Sequence, residues 1–356
     1  MTLIIAEAGV NHNGSDDLAF QLVDAAYKAG ADIVKFQTFK AKNLVTESAK
    51  QADYQVANTG QQESQFDMLK RLELSYETHH KLVKYCNDLG IEFLSTAFDS
   101  ESLDFLVNDL GITRLKLPSG EITNAPLVLE HARTECDLIV STGMATLTDI
   151  EQVLSVIAYG YLNKEGNPTE DALFDAYYSD EGKALLKEKV TLLHCTTEYP
   201  APFTDINLNA MDTMKCAFKL AVGYSDHSEG IVVPISAVAK GAVLIEKHFT
   251  TDKSLPGPDH KASLDPVELK AMVNGIRIAE KVLGDGIKGP RPSEVKNKTV
   301  ARKSLVVSRA LKSGDLITQD HIVVKRPGEG MHPLNYWKLI GKTASNDYMV
   351  GELFDE

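Results

Sequence analysis

Cysteine and tryptophan are scarce in this chain of 356 residues, with four of the first and one of the second. Cys86, Cys136, Cys195 and Cys216 show no CxxC spacing, and each lies in or beside an apolar stretch. A disulfide framework is therefore excluded, and a reducing cytoplasm is the simplest setting. Long apolar runs are missing too. Only Leu3, Ile4, Ile5 and Ala6 precede Glu7, too few for the core of a secretion signal, and no later run approaches a membrane span. The chain also lacks any block of consecutive basic residues. Its 37 Lys and Arg face 50 Asp and Glu, a net charge of −13, and such a surface repels a phosphate backbone. Nucleic acid and membrane are thus not expected partners. An anionic small substrate stays open, provided a few cations are concentrated in one site.

What is present is an ordinary globular composition, 43% hydrophobic and 24% charged, with a repeating pattern laid over it. Short β-branched runs recur, each followed by a polar cluster and a longer stretch of helical periodicity. Eight such runs can be counted: 3–9, 32–39, 92–98, 114–118, 138–143, 190–197, 220–227 and 243–250. Eight βα units fit a closed (β/α)8 TIM barrel, whereas an open doubly wound sheet more often has five to seven strands. Helix signals support the phasing. Ser15 precedes Asp16 and Asp17 and the helix should stop at Gly30; Asp265-Pro266-Val267-Glu268 opens the last helix, with Gly284 as its stop. The connections 41–74 and 163–189 are too long for turns, the first a candidate lid and the second a decorated surface loop. The polar, Pro/Gly-rich segment 286–297 marks a linker. Short runs at 303–308, 316–317 and 322–325 then suggest a small β-rich module.

In a barrel the active site forms at the carboxyl ends of the strands. The polar residues closing the runs are Glu7, Lys35, Gln37, Ser95, Thr96, Lys116, Ser119, Glu121, Ser141, Thr142, His194, Thr196, Ser225, Asp226, His227, Glu246 and His248. Taken singly, a Ser or Thr here is more often a turn former, and a strand lysine can snorkel to the rim. Their coincidence on every strand shifts the balance. Lysines and hydroxyls converging on one mouth suit a phosphate or carboxylate. Lys35, inside Ile33-Val34-Lys35-Phe36, is costly to bury unless it meets an anion. His227 and His248 close consecutive strands, within reach of one metal ion that keeps open positions for water and substrate; core or surface histidines are the alternative on spacing alone.

At these residues the chain resembles the sialic acid synthase family, which includes the closely similar legionaminic acid synthases. The resemblance runs through Ile5-Ala6-Glu7-Ala8-Gly9-Val10-Asn11-His12-Asn13-Gly14, Val34-Lys35-Phe36-Gln37-Thr38, Leu94-Ser95-Thr96-Ala97-Phe98 and Leu117-Pro118-Ser119-Gly120-Glu121. It continues in Ser141-Thr142-Gly143-Met144, Leu193-His194-Cys195-Thr196-Thr197-Glu198-Tyr199-Pro200, Gly223-Tyr224-Ser225-Asp226-His227, Glu246-Lys247-His248-Phe249-Thr250 and Gly257-Pro258-Asp259-His260-Lys261. Lys303-Ser304-Leu305-Val306 and Lys325-Arg326-Pro327-Gly328 look like the antifreeze-like (SAF) module that ends these synthases.

The resemblance implies a catalytic TIM barrel over 1–285, a linker over 286–299 and an SAF domain over 300–356. It implies condensation of phosphoenolpyruvate with N-acetylmannosamine and water to N-acetylneuraminate and phosphate. The alternative acceptor is 2,4-diacetamido-2,4,6-trideoxymannose, giving N,N'-diacetyllegionaminate; the Pro-Gly-Pro-Asp segment leans toward these two and away from pseudaminic acid. A divalent metal is implied, manganese first and magnesium as the alternative, held by His227 and His248. Lys35, Thr96, Lys116, Ser119 and Ser225 would hold phosphoenolpyruvate. Thr197 joins them, standing where some members have Asn, and Ala97 stands where Pro is common. Gln37, Tyr199 and Asp259 would face the sugar, Glu7, Glu121 and Glu246 would move protons, and Arg326 would meet the N-acyl group across a domain-swapped homodimer. A synthase of phosphorylated sugars would need a further Arg or Lys cluster at the mouth, which the sequence lacks. A catalytically dead barrel with a sugar- or ice-binding tail would have lost some of these residues.

Overall fold

The computed structural model describes residues 1–51, 56, 63–163 and 165–355. It divides into two compact units, Met1–Gly284 and Asp285–Glu356. No helix among the described residues is long and apolar enough to cross a membrane.

In the first unit eight parallel strands close into a barrel in sequential order: β1 (Leu3–Gly9), β2 (Ile33–Thr38), β3 (Glu92–Ala97), β4 (Arg114–Leu117), β5 (Asp137–Ser141), β6 (Val190–Cys195), β7 (Ala221–Asp226) and β8 (Leu244–His248). Every expected run holds one of these strands. The strand period of two divides their side chains between helix layer and barrel interior. Outward-facing Ile4, Val34, Phe93, Leu115, Val140, Leu192, Val222 and Ile245 belong to the large core under the helices. Inward-facing Ile5, Ile33, Leu94, Ile139, Leu193 and Leu244 form a separate apolar floor. Gly223 completes that floor because it has no side chain; a Cβ there would lie 2.4 Å from the Leu244 carbonyl oxygen and 2.7 Å from Leu193 Cδ2.

Helix boundaries follow the sequence signals. Helix α1 (Asp16–Ala29) starts with Ser15 accepting from the Leu18 N–H and ends on Gly30 at φ 86°. Its counterpart before the second unit, Pro266–Leu283, starts with a reciprocal box between Asp265 and Glu268. Two expectations are corrected. The segment 163–189 is no mere decorated loop: it carries the helices Glu170–Tyr178 and Asp180–Lys189, and Ser179 both ends the first and caps the second. The expected linker also contains a helix, Pro292–Ala301, with proline in its first turn and Glu294 accepting from the Arg291 N–H. Its Pro and Gly content concealed a helix start. The connection 41–74 contributes helices Ala41–Leu44 and Gln65–Arg71, while its stretches 52–55 and 57–62 lie outside the described residues.

In the second unit β9 (Ser304–Val307) pairs antiparallel with β10 (Ile322–Lys325), and Leu305, Val307, Leu311, Ile317, Tyr348 and Phe354 are among the residues of its own small core. The run expected at 316–317 makes a single bridge, Leu316 to Thr343.

Candidate active site

Two residues beyond the apolar floor the inner face of most strands turns polar, β6 carrying Cys195 at that level. Glu7 stands beside Lys35 in the β1–β2 register and beside His248 across β1–β8, Thr96 pairs with Gln37 and with Lys116, and Ser225 pairs with Glu246. This layer is the bottom of a cavity of about 240 Å³. Its lining includes Glu7, Lys35, Gln37, Thr96, Lys116, Ser119, Thr197, Tyr199, Ser225, His227, Glu246, His248 and Asp259. Thirteen of the fifteen expected site residues thus meet in one place.

Of the other two, Glu121 lies outside that lining and Arg326 lies in the second unit. The chain leaves β4 in a tight turn over Ser119–Glu121, the strand alternation is lost, and the Glu121 carboxylate accepts from Asn124 Nδ2 at 2.7 Å. Arg326 Nε donates to the Ala301 carbonyl at 3.0 Å. Several other strand-end polar residues face outward by alternation. Ser95 bonds Thr38, Thr142 donates to the Leu193 carbonyl, and His194 bonds the Ile206 carbonyl.

Four buried charges dominate the floor of the cavity. Lys35 Nζ lies 2.8 Å from Glu7 Oε2 and 3.6 Å from Glu246 Oε2, and Lys116 Nζ lies 3.3 Å from Glu246 Oε1. Lys35 also donates to Thr96 Oγ1 at 3.1 Å, and Ser225 Oγ to Glu246 Oε1 at 3.1 Å. The two carboxyls differ in environment. Burial raises the Glu7 carboxyl above its ordinary value, and Lys35 only partly opposes this. Burial acts on Glu246 in the same sense, but Lys116 and Lys35 outweigh it and hold that carboxyl low. Burial lowers Lys116 and raises Asp259 to about 6.

The histidines form the next layer, with ring centroids 5.6 Å apart and the Tyr199 ring 4.2 Å from that of His227. His227 Nδ1 is 2.7 Å from the Thr196 carbonyl, which can only accept, so the proton sits on Nδ1 and Nε2 keeps its lone pair. Tyr199 Oη is 3.2 Å from that Nε2. Burial lowers His227 to about 4 and holds His248 well below its ordinary value, so both rings are neutral near pH 7. His248 Nδ1 is buried and has no hydrogen-bond partner among the described residues. Two neutral imidazoles, one oriented by a backbone acceptor, fit the nitrogen ligands of a divalent cation. Among the described residues no group of three or more His, Cys, Asp or Glu side chains converges as a metal cage, so water and substrate would fill the remaining positions.

Gly143 packs against two lining residues, Ser119 and Thr197. Its N–H donates to Ser119 Oγ at 2.9 Å, and a Cβ there would lie 2.2 Å from Thr197 Oγ1 and 2.8 Å from Ser119 Oγ. Gly143→Ala should therefore displace both hydroxyls and lower kcat/KM for the anionic substrate by about 10–100-fold. Steady-state kinetics beside a melting curve check this; an unchanged KM would remove Ser119 and Thr197 from substrate binding. Part of the lining is an apolar wall that the strand pattern does not predict. Val10, Met68, Leu69, Leu72 and Phe98 line it, three of them from the connection 41–74. The only sequence signal for it was the placement of that long connection above the mouth.

A (β/α)8 barrel whose mouth joins paired lysines and carboxylates to a neutral histidine pair defines an enzyme for small anionic substrates. The NeuB family model matches residues 22–288, and the chain belongs to the NeuB family. It is 47% identical over 355 residues to the N,N'-diacetyllegionaminic acid synthase of Campylobacter jejuni, covering 100% of this chain and 99% of that one. It is also 47% identical over 348 residues to the enzyme of that name from Legionella pneumophila, covering 98% and 92%. Among solved structures, the N-acetylneuraminic acid synthetase of Leptospira borgpetersenii in complex with citrate is 31% identical with a TM-score of 0.66, covering 83% of this chain and 90% of that one.

Proposed function

We propose that the protein is a nonulosonic acid synthase that condenses phosphoenolpyruvate with an N-acylated mannosamine-type sugar and water, releasing phosphate. The observation that carries this reading is the quartet Glu7, Lys35, Lys116 and Glu246 under the histidine pair. Two buried cations, flanked by the hydroxyls of Thr96, Ser119, Thr197 and Ser225, suit the phosphate and carboxylate of phosphoenolpyruvate. A divalent cation between His227 and His248, manganese first and magnesium as the alternative, would supply Lewis acidity to the sugar aldehyde and positive charge that the near-neutral quartet does not.

The methylene carbon of phosphoenolpyruvate attacks the aldehyde carbon, the aldehyde oxygen takes a proton, and the developing oxocarbenium carbon takes water. Loss of a proton from that water and cleavage of the C–O bond then free the phosphate. The divergent carboxyl environments divide the proton work. When phosphate engages Lys35, Glu7 loses its cationic partner, its affinity for a proton rises further, and it becomes the acid that serves the aldehyde oxygen. Glu246 stays ionised beside Lys116 and is the base for water. Gln37, Tyr199 and Asp259 orient the sugar.

Of the two acceptors, the 2,4-diacetamido-trideoxy sugar is favoured by the two relatives at 47% identity. The wall of Val10, Met68, Leu69, Leu72 and Phe98 supports it, since an extra acetyl methyl and a 6-methyl group gain from apolar contact where a hydroxymethyl does not. N-acetylmannosamine is the second acceptor. The reading also takes residues 300–356 as an SAF module of a domain-swapped homodimer, in which Arg326 meets the N-acyl group of the partner's sugar, and places the enzyme in the cytoplasm.

The test is phosphate release from phosphoenolpyruvate with manganese, with each sugar in turn and product masses determined. Faster turnover of the diacetamido sugar is expected. Preference for N-acetylmannosamine would reverse the choice of acceptor, and no release with either would overturn the condensation itself.

A further inference from the structure

On β7 and β8 the site residues alternate with two that point away from the cavity. Ser225 and His227 flank Asp226, and Glu246 and His248 flank Lys247; Asp226 and Lys247 are register partners across the two strands. Both are buried, at 0% and 1% exposure, with the Tyr224 hydroxyl near Asp226 and the Lys253 and Glu268 charges acting on Lys247. Lys247 Nζ lies 2.7 Å from Asp226 Oδ2 and also donates to the Ser228 carbonyl. Asp226 Oδ1 in turn accepts from the Ser228 N–H at 3.0 Å and from Ser228 Oγ at 2.7 Å. The residues immediately before and after His227 are thus tied to each other and to the residue between Glu246 and His248.

A buried ion pair is a poor device for stability alone. Desolvating both charges largely offsets their attraction, and well-packed apolar residues of similar volume serve as well or better. What it offers is geometry: Lys247 meets Asp226 and the Ser228 carbonyl in one arrangement, whereas an apolar pair would tolerate a shift of one strand past the other.

We propose that Asp226, Ser228 and Lys247 form a clamp behind the barrel wall that positions His227 and His248 relative to each other, and so sets the affinity for the divalent cation. The inference rests on the histidine pair as the cation site. Asp226 and Lys247 are positioning residues and touch no substrate. The clamp acts at the ends of β7 and β8, where an error of a fraction of an ångström between two imidazoles weakens a shared ligand field.

The full-length protein tests it with three variants: Asp226→Asn, Lys247→Met, and the double variant Asp226→Leu with Lys247→Met, which replaces the pair by apolar side chains. Manganese binding is read by paramagnetic resonance of the free ion, folding by thermal unfolding, and imidazole state by long-range 1H–15N spectra of the histidines without metal. Each single variant should weaken manganese binding at least tenfold. The double variant should recover the wild-type unfolding midpoint but not the affinity, and His227 should lose its single Nδ1–H signature in all three. Wild-type affinity in the double variant, or an unchanged His227 signature in the single variants, would overturn the clamp. If the wild type binds no manganese, the histidine-pair site fails instead, and the metal-free spectra still decide whether the clamp orders His227.

Discussion

Lys35→Met is expected to lower kcat/KM for phosphoenolpyruvate by at least a thousandfold, about 4 kcal/mol of transition-state stabilisation. The methionine keeps the length and apolar stem of lysine, so the loss measures the charge. Lys35 is the only cation within ion-pair distance of Glu7 among the described residues and one of two beside Glu246. Without it, Glu246 keeps Lys116, but Glu7 becomes a buried carboxyl with no cation at ion-pair distance and only the more distant Lys116 to offset its charge. That carboxyl is already raised by burial, and in the variant it takes up a proton rather than remain charged in a low-dielectric interior. The barrel should therefore fold. The pH dependence of stability that Glu7 already gives the wild type should extend to higher pH in the variant. The Glu7 carboxyl has a higher pKa folded than unfolded, the native state binds more protons, and stability falls as pH rises above the unfolded carboxylate value of about 4.3. Melting curves from pH 5 to 9 read that slope, and phosphate release reads the catalytic loss. Activity within tenfold of wild type, in a variant with the expected slope, would mean that Lys35 balances carboxylates and does not bind substrate.

How much of this was legible without coordinates depended on whether strand alternation held. Glu7, Lys35, Thr96, Ser225, Glu246 and His248 lie on regular strands, where a polar residue two positions beyond an inward apolar one has to face the mouth. The barrel order was legible for the same reason, since each β-branched run was followed by helix signals such as Ser15 or the Asp265–Glu268 box. Alternation failed as a guide where the chain stopped being a strand. Glu121 was grouped with Ser119 by spacing, but the turn over Ser119–Glu121 sends it to Asn124. Ser95, Thr142 and Asp226 stand at strand ends too, but they are one position out of phase with the inward residues and bond away from the mouth. The apolar wall was the least legible part. Met68 and Leu69 come from a helix in a long connection and Leu72 from the residue that ends it, and nothing local to that helix says what it will cover. The helix at Pro292–Ala301 was hidden by composition, because the prolines and glycines that suggest a linker also include the Pro292 that opens it.

His227→Ala and His248→Ala should each abolish metal-dependent turnover, to below about one part in a thousand of wild type, and dialysis against a chelator should do the same to the unaltered protein. Both losses follow from the number of nitrogen ligands. In the proposed site the nitrogen ligands are His227 and His248, and removing either member leaves one imidazole of the pair. A single neutral imidazole competes poorly with water for manganese or magnesium, which favour oxygen. Binding can be read apart from catalysis, because an ion that binds only the native state stabilises it by RT ln(1 + [L]/Kd), about 2.7 kcal/mol at a hundredfold excess over Kd. Added manganese should raise the unfolding midpoint of the wild type and leave both alanine variants where they were. The two substitutions are not equivalent. His227 also holds the Thr196 carbonyl and faces Tyr199, so its loss frees a partly buried acceptor, whereas the Nδ1 of His248 has no partner to abandon among the described residues. The metal-free midpoint should accordingly fall further for His227→Ala than for His248→Ala, while the manganese-dependent rise disappears from both. If either variant retains that rise and near-normal turnover, that histidine is not a ligand, and the orphaned nitrogen of His248 requires another partner.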